Sequence, residues 1–116
     1  MLTAPADSRP GTIQVFIVDD HPLVQFGLTE LISSQSNMEV CGTATDVDDA
    51  LQEIVNSNPD LVIVDISLKN SNGIDLIKRL NSRRPSFAIL VSSMHDPSLY
   101  ADRALRAGAN GYVQKQ

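Results

Sequence analysis

The chain has 116 residues, of which 42% are hydrophobic and 20% charged, with 14 acidic against 9 basic side chains and a formal net charge of −5. This is one domain's worth of sequence with enough apolar content for its own core, which excludes wholesale disorder. There is no apolar run of membrane-spanning length, no cysteine partner for Cys41, and a charge balance that suits a phosphate backbone poorly.

Residues 1–12 contain Pro5, Pro10 and Gly11 among small polar residues and read as a flexible leader. They lack the basic head and apolar stretch of a signal peptide. From Ile13 to Val18 the chain is apolar and β-branched, and this strand stops at Asp19-Asp20. Pro22 suits a first helical turn, and Val24, Gly27, Leu28, Leu31 and Ile32 follow at helical spacing until Ser33 to Asn37 break it. Met38 to Ala44 reads as a weaker strand. Thr45 and Asp48 have capping-box spacing, and Val47, Ala50, Leu51, Ile54 and Val55 form one apolar stripe that ends at Asn58-Pro59. The acidic Asp46, Asp48 and Asp49 suit the positive end of that helix.

Leu61 to Val64 is an unbroken apolar run ending at Asp65, as expected of a parallel strand buried on both faces. The spacing then predicts a helix over Gly73 to Arg83, stopped by Pro85, and a strand over Phe87 to Val91 ending in Ser92-Ser93. Pro97 opens a short helix, Ala107 to Gly111 closes it, and Gly111 to Val113 is a last strand with Lys115 at its end. Strand and helix thus alternate from end to end, which argues an α/β fold with a parallel sheet between helices and right-handed crossovers.

Four strands finish in polar residues: Asp19-Asp20, Asp65, Ser92-Ser93 and Lys115. In an open parallel sheet these ends share one edge, where ligands bind. Carboxylates gathered there stay ionised only if a cation joins them, or else one takes up a proton, and oxygen donors without a His or Cys cluster point to Mg²⁺. An aspartate is also a nucleophile for phosphoryl groups, and Lys115 and a serine hydroxyl would balance charge on the transferred oxygens.

Val18-Asp19-Asp20-His21-Pro22-Leu23-Val24, Val64-Asp65-Ile66-Ser67-Leu68 with Gly73, Ser93-Met94-His95 and Ala107 to Lys115 together resemble the receiver domain of two-component response regulators, in particular the NarL/FixJ (LuxR-type) subfamily. The resemblance covers residues 13–116. It implies a flavodoxin-like (CheY-like), doubly wound sheet of strand order 2-1-3-4-5. It implies Asp65 as phosphoacceptor. Mg²⁺ would be held by Asp20, Asp65 and the backbone carbonyl of Ser67, with Asp19 acting through water. Ser93, spaced 22 residues before Lys115 as the family pattern requires, would bond the phosphoryl group together with Lys115. Tyr112 matches the aromatic switch position, and Ser67 and His95 the positions that tune phosphoryl lifetime.

The resemblance implies a cytoplasmic protein whose partner is a sensor histidine kinase, with a possible homodimer, no membrane, and DNA contacted only through an effector domain outside this sequence. The module is a phosphorylation-dependent switch with self-catalysed transfer and dephosphorylation, not a conventional enzyme. Two departures stand out: Lys69 replaces the proline usual four residues after the phosphoacceptor, and the sequence stops at Gln116, before the family's fifth helix. Apolar surface beside the first and fifth strands is expected to follow, covered by a partner subunit or by rearrangement.

Each residue also has a plainer reading. Asp20 could cap a helix, Asp65 form a turn, Lys115 sit solvated, and Tyr112 be an ordinary strand aromatic. His21 and His95, with no third His or Cys, are not read as ligands, and Cys41 reads as an inert thiol. Rival functions are an unphosphorylated pseudo-receiver acting in protein interaction, an Mg²⁺-dependent phosphatase and a flavin carrier. The phosphatase would need Asp-x-Asp on the first strand, and Asp19-Asp20 would repel a flavin phosphate.

Overall fold

The computed structural model describes residues 11–66, 68, 72–83 and 86–115. Most of the leader, Ser67, Lys69 and Pro85 lie outside these residues. The element order is β1 (Ile13–Val18), α1 (Pro22–Ser33), β2 (Met38–Ala44), α2 (Val47–Ser57), β3 (Leu61–Val64), α3 (Gly73–Ser82), β4 (Ala88–Ser93), α4 (Pro97–Ala107) and β5 (Gly111–Gln114). All pairings are parallel, and the strands lie in the order β2-β1-β3-β4-β5. The order reverses between β1 and β3, which places a crevice at their carboxyl ends.

The helices start and stop for local reasons. α2 is capped by Asp46, whose side chain accepts from the Asp49 N–H at 2.9 Å, one residue beyond the Thr45 cap expected from spacing. Asn58 ends it in the left-handed conformation, at φ 49°, which asparagine tolerates better than most residues. Asn72 caps α3 through the Ile74 N–H, and Asp96 caps α4 through the Ser98 N–H, both at 2.8 Å. α4 is not short, since it runs the full span from Pro97 to Ala107. β4 begins at Ala88, and both Ser92 and Ser93 belong to it.

Alternate strand residues face opposite layers. Phe16, Val18, Val62, Val64, Ile89 and Val91 pack with α2, α3 and α4, while Val15, Ile17 and Ile63 pack with Ile32 of α1. β2 carries an irregularity: Val15 pairs with Val40 and Phe16 with Gly42, so Cys41 is the extra residue of a bulge. Gly42 is required there because a Cβ would lie 2.6 Å from the Phe16 ring. Burial, not pairing, governs the half-buried Cys41 thiol and pushes its pKa up. Leu23, Phe26 and Leu31 on α1 and Val113 on β5 are exposed.

Candidate phosphoryl-acceptor site

The sheet ladder continues one residue past three strand ends. The Asp19 N–H donates to Ala44 O at 3.0 Å, the Asp65 N–H to Val18 O at 2.9 Å, and the Lys115 N–H to Ser93 O at 2.6 Å. These backbone bonds set side chains from distant sequence positions at one edge. Asp19 and Asp65 are each 2% exposed and Ser93 is fully buried. A ligand atom from each of Asp19, Asp20, His21 and Asp65 lies within 4.8 Å of all the others.

A lysine and a histidine face the carboxylates. Lys115 Nζ lies 2.8 Å from Asp19 Oδ2 and 3.4 Å from Asp65 Oδ2. His21 Nδ1 lies 2.9 Å from Asp19 Oδ1, 3.1 Å from Asp20 Oδ1 and 3.5 Å from Asp65 Oδ2. The hydrogen bond to Asp19 chiefly raises the His21 pKa above its ordinary 6.5, with the three carboxylate charges adding to it. His21 occupies the cap position of α1 with no side-chain cap bond, so Asp20 does not cap that helix.

His21 and Gln25 were not legible in the sequence as parts of this site. Gln25 Nε2 donates to Asp19 O at 2.6 Å and to Ala44 O at 3.1 Å, tying α1 to the ends of β1 and β2. Its position one turn after His21 was the only available signal. At β4, Ser93 Oγ accepts from the His95 N–H at 3.1 Å, and Tyr112 donates its hydroxyl to His95 O at 2.9 Å. The His95 ring meets Tyr100 with centroids 4.7 Å apart. Gly73 permits α3 to begin against the end of β3: a Cβ there would stand 2.4 Å from Asp65 O.

The donor set fits a hard divalent cation. Three carboxylates converge in a largely buried space, where like charges are tolerated only beside positive charge, and hard oxygen donors suit Mg²⁺. Asp19, Asp20, Asp65, Ser93 and Lys115 thus all stand at the one sheet edge. Tyr112 and His95 adjoin it through Ser93, and the expected Ser67 carbonyl lies outside the described residues.

The family profile described as "Response regulator receiver domain" matches residues 15–116. The chain is 33% identical over 104 residues to the transcriptional regulatory protein DegU of Brevibacillus brevis, covering 90% of this chain and 44% of that protein. It is 35% identical over 103 residues to the DNA-binding transcriptional activator DevR/DosR of Mycobacterium tuberculosis, covering 89% and 48%. The crystal structure of a LuxR-family two-component response regulator from Aurantimonas superposes with a TM-score of 0.85 at 33% identity, covering 90% of this chain and 75% of that one. The chain spans about half the length of these two curated relatives.

Proposed function

This chain belongs to the response regulator receiver family, and from that membership we propose that it is a switch in which Asp65 accepts a phosphoryl group from a sensor histidine kinase. The observation that carries this reading is the buried convergence of Asp19, Asp20 and Asp65 with Lys115 at the sheet's carboxyl edge.

An Asp65 carboxylate oxygen forms the O–P bond while the N–P bond of a kinase phosphohistidine breaks, its electron pair returning to the imidazole. Lys115, already on Asp65 Oδ2, balances charge on the phosphoryl oxygens. Asp20, Asp65 and the Ser67 carbonyl would hold Mg²⁺, with Asp19 acting through water; the ion would supply charge neutralisation for the in-line transfer. Ser93 Oγ already accepts from the His95 N–H, so its own proton remains available to a phosphoryl oxygen. Turning that hydroxyl toward the acceptor shifts the loop at His95, whose carbonyl Tyr112 holds. Ser93 and Tyr112 are thereby a coupled switch, and Ser67 and His95 tune the phosphoryl lifetime. Phosphorylation biases the two states only by its different interactions with each.

The chemistry of the chain itself is receipt and loss of one phosphoryl group. Residues 13–116 form the receiver and residues 1–12 a leader. Control of DNA binding and transcription runs through an effector domain of the whole regulator, as the names of its relatives suggest. The switch is read as cytoplasmic; no helix among the described residues is long and apolar enough to cross a membrane.

Incubation with Mg²⁺ and acetyl phosphate, followed by intact mass measurement, tests the reading. A gain of about 80 Da, one phosphoryl group, that disappears in Asp65→Asn is expected. A folded wild-type protein that gains no mass overturns it in favour of an unphosphorylated interaction module.

A further inference from the structure

Away from the acceptor site, a groove of about 400 Å³ opens between α3 and α4. Its floor includes the buried Ile74 and Ala107, its walls carry Lys78, Arg103 and Arg106, and among the described residues no Asp or Glu lines it. A second cavity of about 310 Å³ shares Arg103 and Ile74 with it and adds His95 and Tyr100. Three of the chain's 9 basic residues therefore line one groove of a protein with 14 acidic ones.

The neighbouring helix pair is built the opposite way. Between α2 and α3, Arg79 Nη1 faces Asp48 Oδ1 at 3.9 Å, and Arg79 Nε also holds Asp75 at 3.0 Å. On the other flank of α3, Lys78 has no carboxylate within ion-pair distance among the described residues, and neither has Arg103, which lies 5.7 Å over the Tyr100 ring. Arg106 holds only the exposed Asp102 one turn back, at 3.0 Å. Favourable placement at a helix C-terminus accounts for Arg106 but not for Lys78 or Arg103, which lie outside the last turns. Like charges thus face each other across an apolar floor.

We infer that the α3–α4 groove docks an acidic segment of a partner protein, with carboxylates on Lys78 and Arg103 and an apolar side chain on Ile74 and Ala107. Arginine's planar fork suits carboxylates, and the two walls stop repelling when an anion lies between them. A short segment with an apolar anchor fits better than a nucleic acid, whose charged phosphate backbone has no apolar side chain to set on the buried Ile74 and Ala107.

A fluorescein-labelled peptide alternating glutamate and leucine serves as the probe, read by anisotropy and by amide shifts of the full chain. Shifts confined to α3 and α4 are expected. Lys78→Glu and Arg103→Glu should each weaken binding by about 10-fold or more, and Arg79→Glu by less than about 2-fold. In the free protein Lys78→Glu should raise the melting temperature, because opposite charges then face across the groove. No α3 or α4 shift, equal losses in Arg79→Glu and Lys78→Glu, or equal competition by duplex DNA of matched charge would each overturn the proposal.

Discussion

Phe16 and Val18 face α2, α3 and α4, whereas Val15 and Ile17, their immediate neighbours on β1, face α1. On the first side the core is continuous from Val47, Ala50 and Ile54 of α2 through Ile74, Ile77 and Leu80 of α3 to Ala104 and Ala107 of α4. On the second, Ile32 is the one buried apolar residue that α1 adds, with Leu28 half-buried beside it. The difference begins in the helices. α2 and α3 each sort apolar from polar residues into separate faces, so burial satisfies one face and water the other. α1 is apolar nearly all round, and the sheet covers only part of it: Leu23 is 85% exposed and Phe26 65%. A helix can therefore carry more apolar surface than its own layer uses, and stability concentrates on the other face.

Truncation separates the faces most sharply. Ile77→Ala, at a fully buried position, should cost about 2–5 kcal/mol, whereas Leu23→Ala should stay within about 0.5 kcal/mol. Urea unfolding midpoints measure both, and similar losses would erase the distinction. Gly73→Ala comes next, because its Cβ would meet Asp65 O at 2.4 Å and Ile66 Cα at 2.7 Å, backbone that cannot swing away. A loss of about 1–3 kcal/mol is expected together with slower phosphorylation from acetyl phosphate, since the clash falls on the acceptor strand's end. Asp46→Ala, which removes the α2 cap, should cost about 1 kcal/mol in the same assay.

The smallest effect lies on the α1 side. The folded pKa of His21 is raised, so its contribution is fully present below its ordinary 6.5 and is lost as pH rises through the folded value. Without divalent cations, the stability difference between wild type and His21→Gln should shrink from pH 6 to pH 8. An NMR titration of the His21 ring should show the raised value falling back in Asp19→Asn. An unchanged value there would remove Asp19 as its chief cause.

Much of this was readable along the chain. Short-range rules located every strand and helix, with edges moved by a residue or two where capping chemistry chose Asp46 over Thr45 and where β4 took in Ser92 and Ser93. Asp19, Asp20, Asp65 and Lys115 were visible because each ends a strand, and parallel strands put their ends together. His21 and Gln25 were not. A histidine before a helix and a glutamine within it have no pattern of their own, and their roles depend on how α1 leaves the sheet. The bulge at Cys41 was hidden too, since it arises from fitting the Phe16 ring against Gly42.

Apolar periodicity and strand-end polarity are local, so composition and order alone specify a parallel α/β domain with an acidic edge. Distances belong to a different level. That Lys115 reaches both Asp19 and Asp65, that His21 turns toward three carboxylates, and that like charges face across α3 and α4 while opposite charges face across α2 and α3 follow from how the layers pack. Coulomb energy grows as charges approach and is screened beyond about 10 Å at 0.1 M salt, and only the packed chain determines which charges come close.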